Sequence, residues 1–127
     1  MDKGQRYRSP GGAVYGYAQG DLVLSASETW EGDAVFDPWA LETDAGTRLY
    51  YAAAGGIGVA KPSGDGFTNA SAPILEDARA PAVIRLPDGR IWMFFERDGA
   101  IGLASSSDGL AFDVVDARLL APDPAMD

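Results

Sequence analysis

The sequence contains neither cysteine nor histidine among its 127 residues. The absence of cysteine excludes disulfide bonds and thiolate chemistry. The absence of histidine excludes Ser-His-Asp and Cys-His catalysis and every imidazole–metal site. Carboxylates are therefore the only plausible acid–base groups, and the sequence predicts neither a metal site nor a cofactor.

Basic residues are also few, since 10 Lys and Arg stand against 19 Asp and Glu for a formal net charge of −9. This balance argues against nucleic acid and against an anionic membrane as partners, and a neutral or cationic ligand fits better. Long hydrophobic runs are missing as well. The longest apolar stretch, residues 50–60, is too short to span a bilayer. The composition leaves the cellular compartment open.

A short apolar phrase with a central glycine occurs three times. It is Tyr-Gly-Tyr-Ala at residues 15–18, Ile-Gly-Val-Ala at 57–60 and Ile-Gly-Leu-Ala at 101–104. The three glycines are 42 and 44 residues apart. A period in this range indicates supersecondary units that bury their apolar faces against one another. The sequence therefore predicts a repeat protein.

Each unit carries the signals of short strands joined by tight turns. Residues 37–41 align with 80–84, and residues 48–52 align with 92–96 after a one-residue insertion. Gly combined with Pro, Asp or Ala favours hairpin turns between such stretches. These turn signals lie at residues 44–46, 64–66, 87–89 and 107–109. The pattern predicts a four-stranded antiparallel meander for each unit.

Residues 91–95, Ile-Trp-Met-Phe-Phe, are apolar at both odd and even positions. A strand of this kind is expected to be covered on both faces, as in a blade packed between two other blades of a β-propeller. Trp39 and Trp92 lie in such strands and are predicted to be core. An ordinary β-sandwich of short strands is the alternative.

The predicted fold is thus all-β, a β-propeller of four-stranded antiparallel blades that is incomplete in this chain. The expected parts are the end of one blade at 1–23, whole blades at 24–73 and 74–118, and the start of another at 119–127. Propellers close with about 4–8 blades, so this arrangement leaves open sheet edges. Either the chain is part of a longer protein, or copies complete a ring through self-association at the open edges.

The order of motifs resembles the repeat of the five-bladed β-propeller glycoside hydrolases, families 43 and 32, of the arabinanase, xylosidase and invertase or levanase type. The resemblance covers about residues 13–124. It rests on the Asp-Pro-Trp-Ala segment, the aromatic strand at 49–51, the repeated glycine phrase, and Ser-x-Asp-Gly followed by Phe112. It implies a propeller of five blades and a carbohydrate ligand. It says less about activity, because the same repeat occurs in blades without a catalytic residue.

The resemblance also implies a catalytic carboxylate on an inner strand, and Asp37 in its Asp-Pro segment matches that position. Its role would be to orient the substrate, tune the pKa of the acid or stabilise an oxocarbenium-like transition state. The alternative is that Asp37 caps the start of a strand. Family 43 enzymes carry their general acid as Glu before Gly-Pro or Ala-Pro, where this chain has Arg79. Arg does not donate a proton, so the acid would be Glu76 or Asp77, would lie outside this chain, or would be absent from a protein that is not a hydrolase.

An inserted loop at residues 25–36 leads into Asp37 and holds Trp30, Glu31 and Asp33. An exposed Trp beside carboxylates suits a sugar, since the ring stacks on C–H groups and the oxygens accept from hydroxyls. The alternative is that Trp30 packs onto the neighbouring blade as core. Arg79 and Glu96 complete the predicted substrate-binding residues, although Glu96 also fits a solvated strand end.

Two functions follow as expectations. The first is a glycoside-hydrolase-like propeller from a protein that hydrolyses or binds poly- or oligosaccharides, inactive as this chain alone. The second is a non-catalytic propeller that binds carbohydrate or another protein.

Overall fold

The computed structural model describes residues 6–8, 14–16, 21–64 and 66–121, with side chains from Leu24 onward. Three parts of the sequence predictions lie outside the described residues. They are the second half of the first glycine phrase, Asp65 in a predicted turn, and residues 122–127 of the predicted last blade. In the described part the regular structure is strand, apart from one 3-10 turn at Thr29–Glu31. That part contains no helix long and apolar enough to cross a membrane.

The described strands form three antiparallel sheets. The first contains β1 (Arg6–Arg8), β2 (Val14–Gly16) and β3 (Asp21–Leu24). The second contains β4 (Val35–Thr43), β5 (Gly46–Ala53), β6 (Gly56–Ser63) and β7 (Gly66–Thr68), with β8 (Leu75–Glu76) paired to the start of β6. The third contains β9 (Arg79–Arg85), β10 (Ile91–Arg97), β11 (Ala100–Ser106) and β12 (Asp113–Leu120). The all-β class and the four-stranded antiparallel sheets are confirmed, and none of the described sheets closes on itself.

Tight turns join consecutive strands, and glycines in the left-handed region make them possible. Three predicted turns, at residues 44–46, 87–89 and 107–109, each lie at a junction between strands. A further turn joins β10 to β11 through Asp98 and Gly99, with φ of 52° and 76°. Two successive positive φ angles are typical of the type I′ hairpin, whose twist matches that of the flanking strands.

The second sheet is buried on both faces. One face packs against the segment that precedes it, around Leu24, Val35, Leu49, Tyr51, Ala53 and Ala60. The other face packs against the third sheet, around Tyr50, Ile57, Val59, Val83, Ile91, Met93 and Phe95. Leu49, Tyr50 and Tyr51 are all fully buried, so successive residues of β5 enter opposite cores. Continuous apolar sequence in this strand reflects coverage from both sides.

The third sheet departs from the expectation of two covered faces. In β10, Ile91, Met93 and Phe95 are buried, whereas Trp92 and Phe94 on the opposite face are only half-buried. Trp39 of the second sheet, predicted as core, is 38% exposed. Its indole nitrogen donates to the carbonyl oxygen of Val83 at 2.9 Å, so it bridges the second and third sheets at their surface. The core predictions for Trp39 and Trp92 were wrong because no described residue covers these rings fully.

The repeated glycines have a steric explanation. Gly58 pairs with Tyr51 and Gly102 pairs with Phe95, which are equivalent positions of the second and third sheets. A Cβ atom on Gly58 would lie 2.6 Å from the Trp30 ring and 3.0 Å from the Tyr51 ring, and one on Gly102 would collide with the Phe95 ring. Each glycine therefore makes room for an aromatic ring that lies across it.

Candidate functional site

The first strand of each four-stranded sheet carries the same backbone irregularity. Asp37 and Ala80, each followed by proline, have φ of 53° and 54°. Strand pairing shifts register beside both, between Phe36 and Trp39 in β4 and opposite Ala80 in β9. A non-glycine residue with positive φ is uncommon and costs about 1–3 kcal/mol, and such residues cluster at functional sites. The equivalence of Asp37 and Ala80, inferred from the internal repeat, is thus also an equivalence of backbone conformation.

Two further residues share this conformation, Asp77 with φ of 51° and Asp98 with φ of 52°. All four lie around one cavity of about 180 Å³, either as lining residues or as direct chain neighbours of lining residues. The cavity is lined by Phe36, Ala53, Ala54, Asp77, Ala78, Arg79, Glu96, Arg97 and Asp98. Strained backbone and charged side chains therefore coincide at one end of the second and third sheets.

Two arginines of the cavity have different hydrogen-bonding states. The guanidinium of Arg97 lies over the Phe95 ring at 5.0 Å and donates to the carbonyl oxygens of Asp77 and Glu76, at 2.9 and 2.7 Å. Arg79 donates through Nε alone, to Glu96 Oε1 at 3.2 Å. In the described part of the chain the terminal nitrogens of Arg79 make no hydrogen bond, so they can donate to a ligand.

Asp37 lies next to the cavity without lining it. It follows Phe36 in β4 and is half-buried, and no donor among the described residues bonds its carboxylate. β4 lies beside β9, because Trp39 donates to Val83 and Arg85 donates to the carbonyl oxygen of Glu42. The carboxylate of Asp37 is thus on β4 of the second sheet, which packs beside β9 of the third sheet, the strand that carries Arg79.

Glu31 belongs to the wall behind this site. Its side chain is fully buried, and its two carboxylate oxygens accept four hydrogen bonds. Oε1 accepts from the backbone N–H groups of Ser27 and Glu28, at 2.7 and 2.8 Å, and Oε2 accepts from the Tyr51 hydroxyl and the Asn69 amide, at 2.6 and 2.7 Å. Burial raises the pKa of Glu31, but these hydrogen bonds outweigh it and leave the pKa below the usual 4.5. Burial and the Glu31 carboxylate together raise the pKa of Tyr51.

The loop that contains Glu31 supports the cavity through backbone contacts. The Glu31 carbonyl oxygen accepts from the backbone N–H of Ala54, which lines the cavity, at 3.2 Å. The Trp30 carbonyl oxygen accepts from the backbone N–H of Gly55 at 2.9 Å. Trp30 lies across Gly58, 5.7 Å from the Tyr51 ring, and its indole nitrogen donates to the Ala70 carbonyl oxygen at 2.7 Å. These contacts pack the loop onto the second sheet.

The structure thus brings together some of the residues predicted from sequence and separates others. Arg79 and Glu96 are in direct contact and Asp37 is on the adjacent strand, whereas Trp30 and Glu31 lie behind the cavity and Asp33 is exposed in the loop. Arg97 and Asp98 line the cavity but were not predicted. The signal that could have found them is the Asp-Gly hairpin turn that begins two residues after Glu96, which keeps them at the same strand end.

A larger groove, of about 740 Å³, lies between residues 68–74 and the turn before β12. Among the described residues of its lining, Lys61 is the one with a charged side chain, and the others are small, polar or apolar. In the described part of the chain, no group of three or more acidic side chains is placed to hold a metal ion. The smaller cavity is the better candidate for polar recognition, because carboxylates and a guanidinium with unused donors meet there. No protein-family model and no curated protein sequence matches this chain.

Proposed function

We propose that this chain forms part of a β-propeller of the glycoside hydrolase type, and that it binds oligo- or polysaccharides at the cavity beside Asp37. The observation that carries the proposal is the collection of three strained non-glycine residues, Asp37, Asp77 and Ala80, around one charged cavity that also includes Asp98 of the β10–β11 turn. Backbone strain persists where the surrounding structure fixes it, and it is concentrated at ligand sites.

The side chains of the cavity suit a polyhydroxylated ligand. Glu96 accepts hydrogen bonds and Arg79 has donors to spare, so vicinal hydroxyl groups could bond to both. Phe36, Ala53, Ala54 and Ala78 supply an apolar wall for the C–H face of a sugar ring. Asp37 would contribute its carboxylate from the adjacent strand, as the resemblance implies.

A non-catalytic binding propeller is the second candidate, and Arg79 favours it. Glycoside hydrolysis requires two carboxyl groups at a defined separation, one of which donates a proton. Arg79 stands where the resemblance expects that acid, and the nearest contacting carboxylate, Glu96, is paired with the Arg79 guanidinium at 3.2 Å. This arrangement favours binding over cleavage by this chain alone.

The test is calorimetric titration of the chain with arabino-, xylo- and fructo-oligosaccharides, together with an assay of reducing-sugar release. We expect saturable binding of at least one of these and no release. Arg79→Gln should weaken binding about tenfold or more, since a hydrogen bond to a charged group contributes about 1.5–3 kcal/mol. Asp37→Asn should keep the backbone conformation, because Asn tolerates positive φ.

The matched control is Asp113→Asn, which neutralises an exposed carboxylate on β12, outside the cavity. If the wild-type chain does release sugar, loss of that release in Asp37→Asn while binding persists would support the hydrolase over the binding module. No binding of any oligosaccharide at millimolar concentration, or binding that Arg79→Gln and Asp37→Asn leave unchanged, would refute the proposed site.

A further inference from the structure

The chain enters the third sheet through a short segment that first contacts the second sheet. We refer to residues 74–78, which end directly before β9, as the entry segment. Ile74 donates its backbone N–H to the Ile57 carbonyl oxygen at 2.8 Å, and β8 pairs with β6. Asp77 donates its backbone N–H to the Gly55 carbonyl oxygen at 3.2 Å. The entry segment is therefore bonded to the second sheet at the edge of the charged cavity, which Asp77 lines.

One side chain of the third sheet bonds to the entry segment. Arg97, the last residue of β10, donates from Nε to the Asp77 carbonyl oxygen at 2.9 Å and from Nη2 to the Glu76 carbonyl oxygen at 2.7 Å. Among the described residues, no other side chain bonds to either oxygen. The guanidinium also lies 5.0 Å from the centre of the Phe95 ring, which is 1% exposed and tightly packed. Arg97 thus presents a planar, well-supported pair of donors to two successive carbonyl groups.

These two hydrogen bonds depend on the unusual backbone of Asp77. In an extended strand, successive carbonyl oxygens point to opposite sides, so one guanidinium does not bond to two in a row. Asp77 has a φ of 51° and interrupts the extended conformation at this point. Such a conformation persists only where the surrounding structure fixes it. The bonds of Arg97 and of the Asp77 N–H are the described hydrogen bonds that do so.

The internal repeat shows that the second sheet is supported differently. Ala53 in β5 is the counterpart of Arg97, because each pairs with the first residue of the next strand across a two-residue turn. Ala54 and Gly55 of that turn donate their backbone N–H groups to carbonyl oxygens of the inserted loop, residues 25–36. The connection into β9 lacks this insertion. The Arg97 side chain therefore makes contacts in the third sheet that the inserted loop makes in the second.

The conformation of the entry segment determines where Arg79 lies, because Arg79 begins β9 two residues after Asp77. Arg79 contacts Glu96 at 3.2 Å, beside the register shift between β9 and β10. The two side chains are 57% and 41% exposed, and an ion pair this exposed is too weak to fix its own geometry. We propose that Arg97 is a positioning residue, which holds the entry segment so that Arg79 and Glu96 face the cavity together.

Arg97 acts through the backbone and not through a bond of its own to the ligand. Two of its three nitrogens already donate to carbonyl oxygens, whereas both terminal nitrogens of Arg79 are unbonded in the described part of the chain. The effect on ligand binding rests on the proposed function, but the effect on the entry segment does not. If the entry segment is released, the binding-competent form is populated less, and the apparent affinity falls in proportion.

The first measurement is amide hydrogen exchange of the whole chain by NMR, for the wild type and Arg97→Met. Methionine keeps an unbranched side chain against Phe95 and removes the donors. We expect the Asp77 amide to exchange about tenfold faster or more, because hydrogen bonds from a charged group to this segment are lost. Arg97→Lys should have an intermediate effect, since its single ammonium keeps the charge but lacks the planar pair of donors.

Two controls accompany the exchange measurement. The Gly89 amide, which donates to the Leu86 carbonyl oxygen in a turn at the other end of β10, should exchange at the wild-type rate in Arg97→Met. Arg85→Met removes an exposed arginine that donates to the Glu42 carbonyl oxygen from the last position of β9. It should leave the Asp77 amide unchanged.

The second measurement is calorimetric titration of the same variants with arabino-, xylo- and fructo-oligosaccharides. Arg97→Met should bind about fivefold more weakly or worse than the wild type, with Arg97→Lys in between. The double variant Arg79→Gln/Arg97→Met should bind no more weakly than Arg79→Gln alone, because residues that act through one another are not additive. Arg85→Met should bind as the wild type does.

The outcomes separate this inference from the proposed function. Unchanged exchange of the Asp77 amide in Arg97→Met would overturn the inference. So would an unchanged affinity, or losses that add in the double variant, since additive losses would make Arg97 a direct ligand contact. A wild-type chain that binds none of the oligosaccharides would refute the proposed function and the role of Arg97 in binding. Faster exchange at Asp77 would then still support its hold on the entry segment.

Discussion

Glu31 is a buried charge without a cationic partner among the described residues. Four hydrogen bonds from Ser27, Glu28, Tyr51 and Asn69 replace the solvation that the carboxylate loses on burial. These donors come from the inserted loop, from β5 and from the segment after β7, so one carboxylate ties together parts of the chain that are distant in sequence. Its function in this structure is to hold the loop behind the cavity.

Glu31→Gln should lower the free energy of unfolding by about 2–3 kcal/mol. Whichever way the amide is turned, its NH₂ group faces two hydrogen-bond donors and cannot accept from them. The variant should also flatten the acid side of the stability profile. The folded-state pKa of Glu31 lies below its usual 4.5. At a pH between the folded-state pKa and 4.5, the unfolded chain therefore binds more protons than the folded chain, and wild-type stability falls as the pH drops below about 4.5. Urea titrations at pH 3–7 measure both effects.

Glu76→Gln is the control for this prediction, since Glu76 is exposed and its described contacts involve only backbone atoms. Some acid sensitivity should remain in every variant. Backbone N–H groups of Leu110 and Ala111 lower the pKa of Asp108, and Arg90 lowers that of Asp88. An unchanged slope below pH 4.5 in Glu31→Gln would show that Glu31 contributes nothing to it.

Pairs of adjacent strands explain why the glycine phrase recurs. In the second and third sheets an aromatic residue of the second strand crosses a glycine of the third, Tyr51 over Gly58 and Phe95 over Gly102. The rings need the space of a missing Cβ because they are buried at 0% and 1% exposure and cannot move aside. The glycine that marks each of these two units is thus required by packing between neighbouring strands.

Gly102→Ala should destabilise the chain by about 1–3 kcal/mol, the usual cost of overpacking a core. Thermal unfolding followed by circular dichroism would measure it. Gly66→Ala is the matched control, since Gly66 also lies in a strand of a sheet, has no atom near its would-be Cβ and has an ordinary φ. Equal midpoints for Gly102→Ala and Gly66→Ala would contradict the packing explanation.

The arrangement of the second and third sheets rests on polar contacts at the margin of an apolar core. Tyr50 donates to Gly109 across the interface, its ring meets Phe112 edge to face at 6.3 Å, and Arg48 donates to the Asp108 carbonyl oxygen. Ser106 and Asp108 fix the turn that offers these carbonyl oxygens, since their side chains accept from backbone N–H groups within it. The turn before β12 is therefore a docking element between sheets.

Tyr50→Phe removes the hydroxyl of this contact and keeps the ring. It should cost about 1 kcal/mol or somewhat more, because the buried Gly109 carbonyl loses its donor. Thr47→Val is the control, as it removes a hydroxyl that bonds the exposed Glu42 and should change stability by less than about 0.5 kcal/mol. Chemical denaturation of both variants measures the difference, and equal costs would indicate that the Tyr50 bond is not a significant link between sheets.

The local pattern of the chain was sufficient for the strands and turns. Continuous apolar stretches, Gly-containing turns and a repeated phrase depend on neighbours in sequence, so residues 37–41 and 80–84 can be matched by residue type alone. The match extends to the unusual backbone of Asp37 and Ala80. The cavity was only half predictable: Arg79 and Glu96 were named, but their contact depends on the register shift between β9 and β10.

The role of Glu31 and the exposure of Trp39 and Trp92 could not be inferred from sequence. Burial of a carboxylate depends on donors that arrive from three separate segments, and coverage of an apolar strand depends on which sheet lies against it. The sequence determines local conformation and periodicity, because these follow from the sterics and polarity of adjacent residues. Long-range packing decides which charges meet and which faces are covered, because the energies involved arise between residues as far apart as Tyr50 and Gly109.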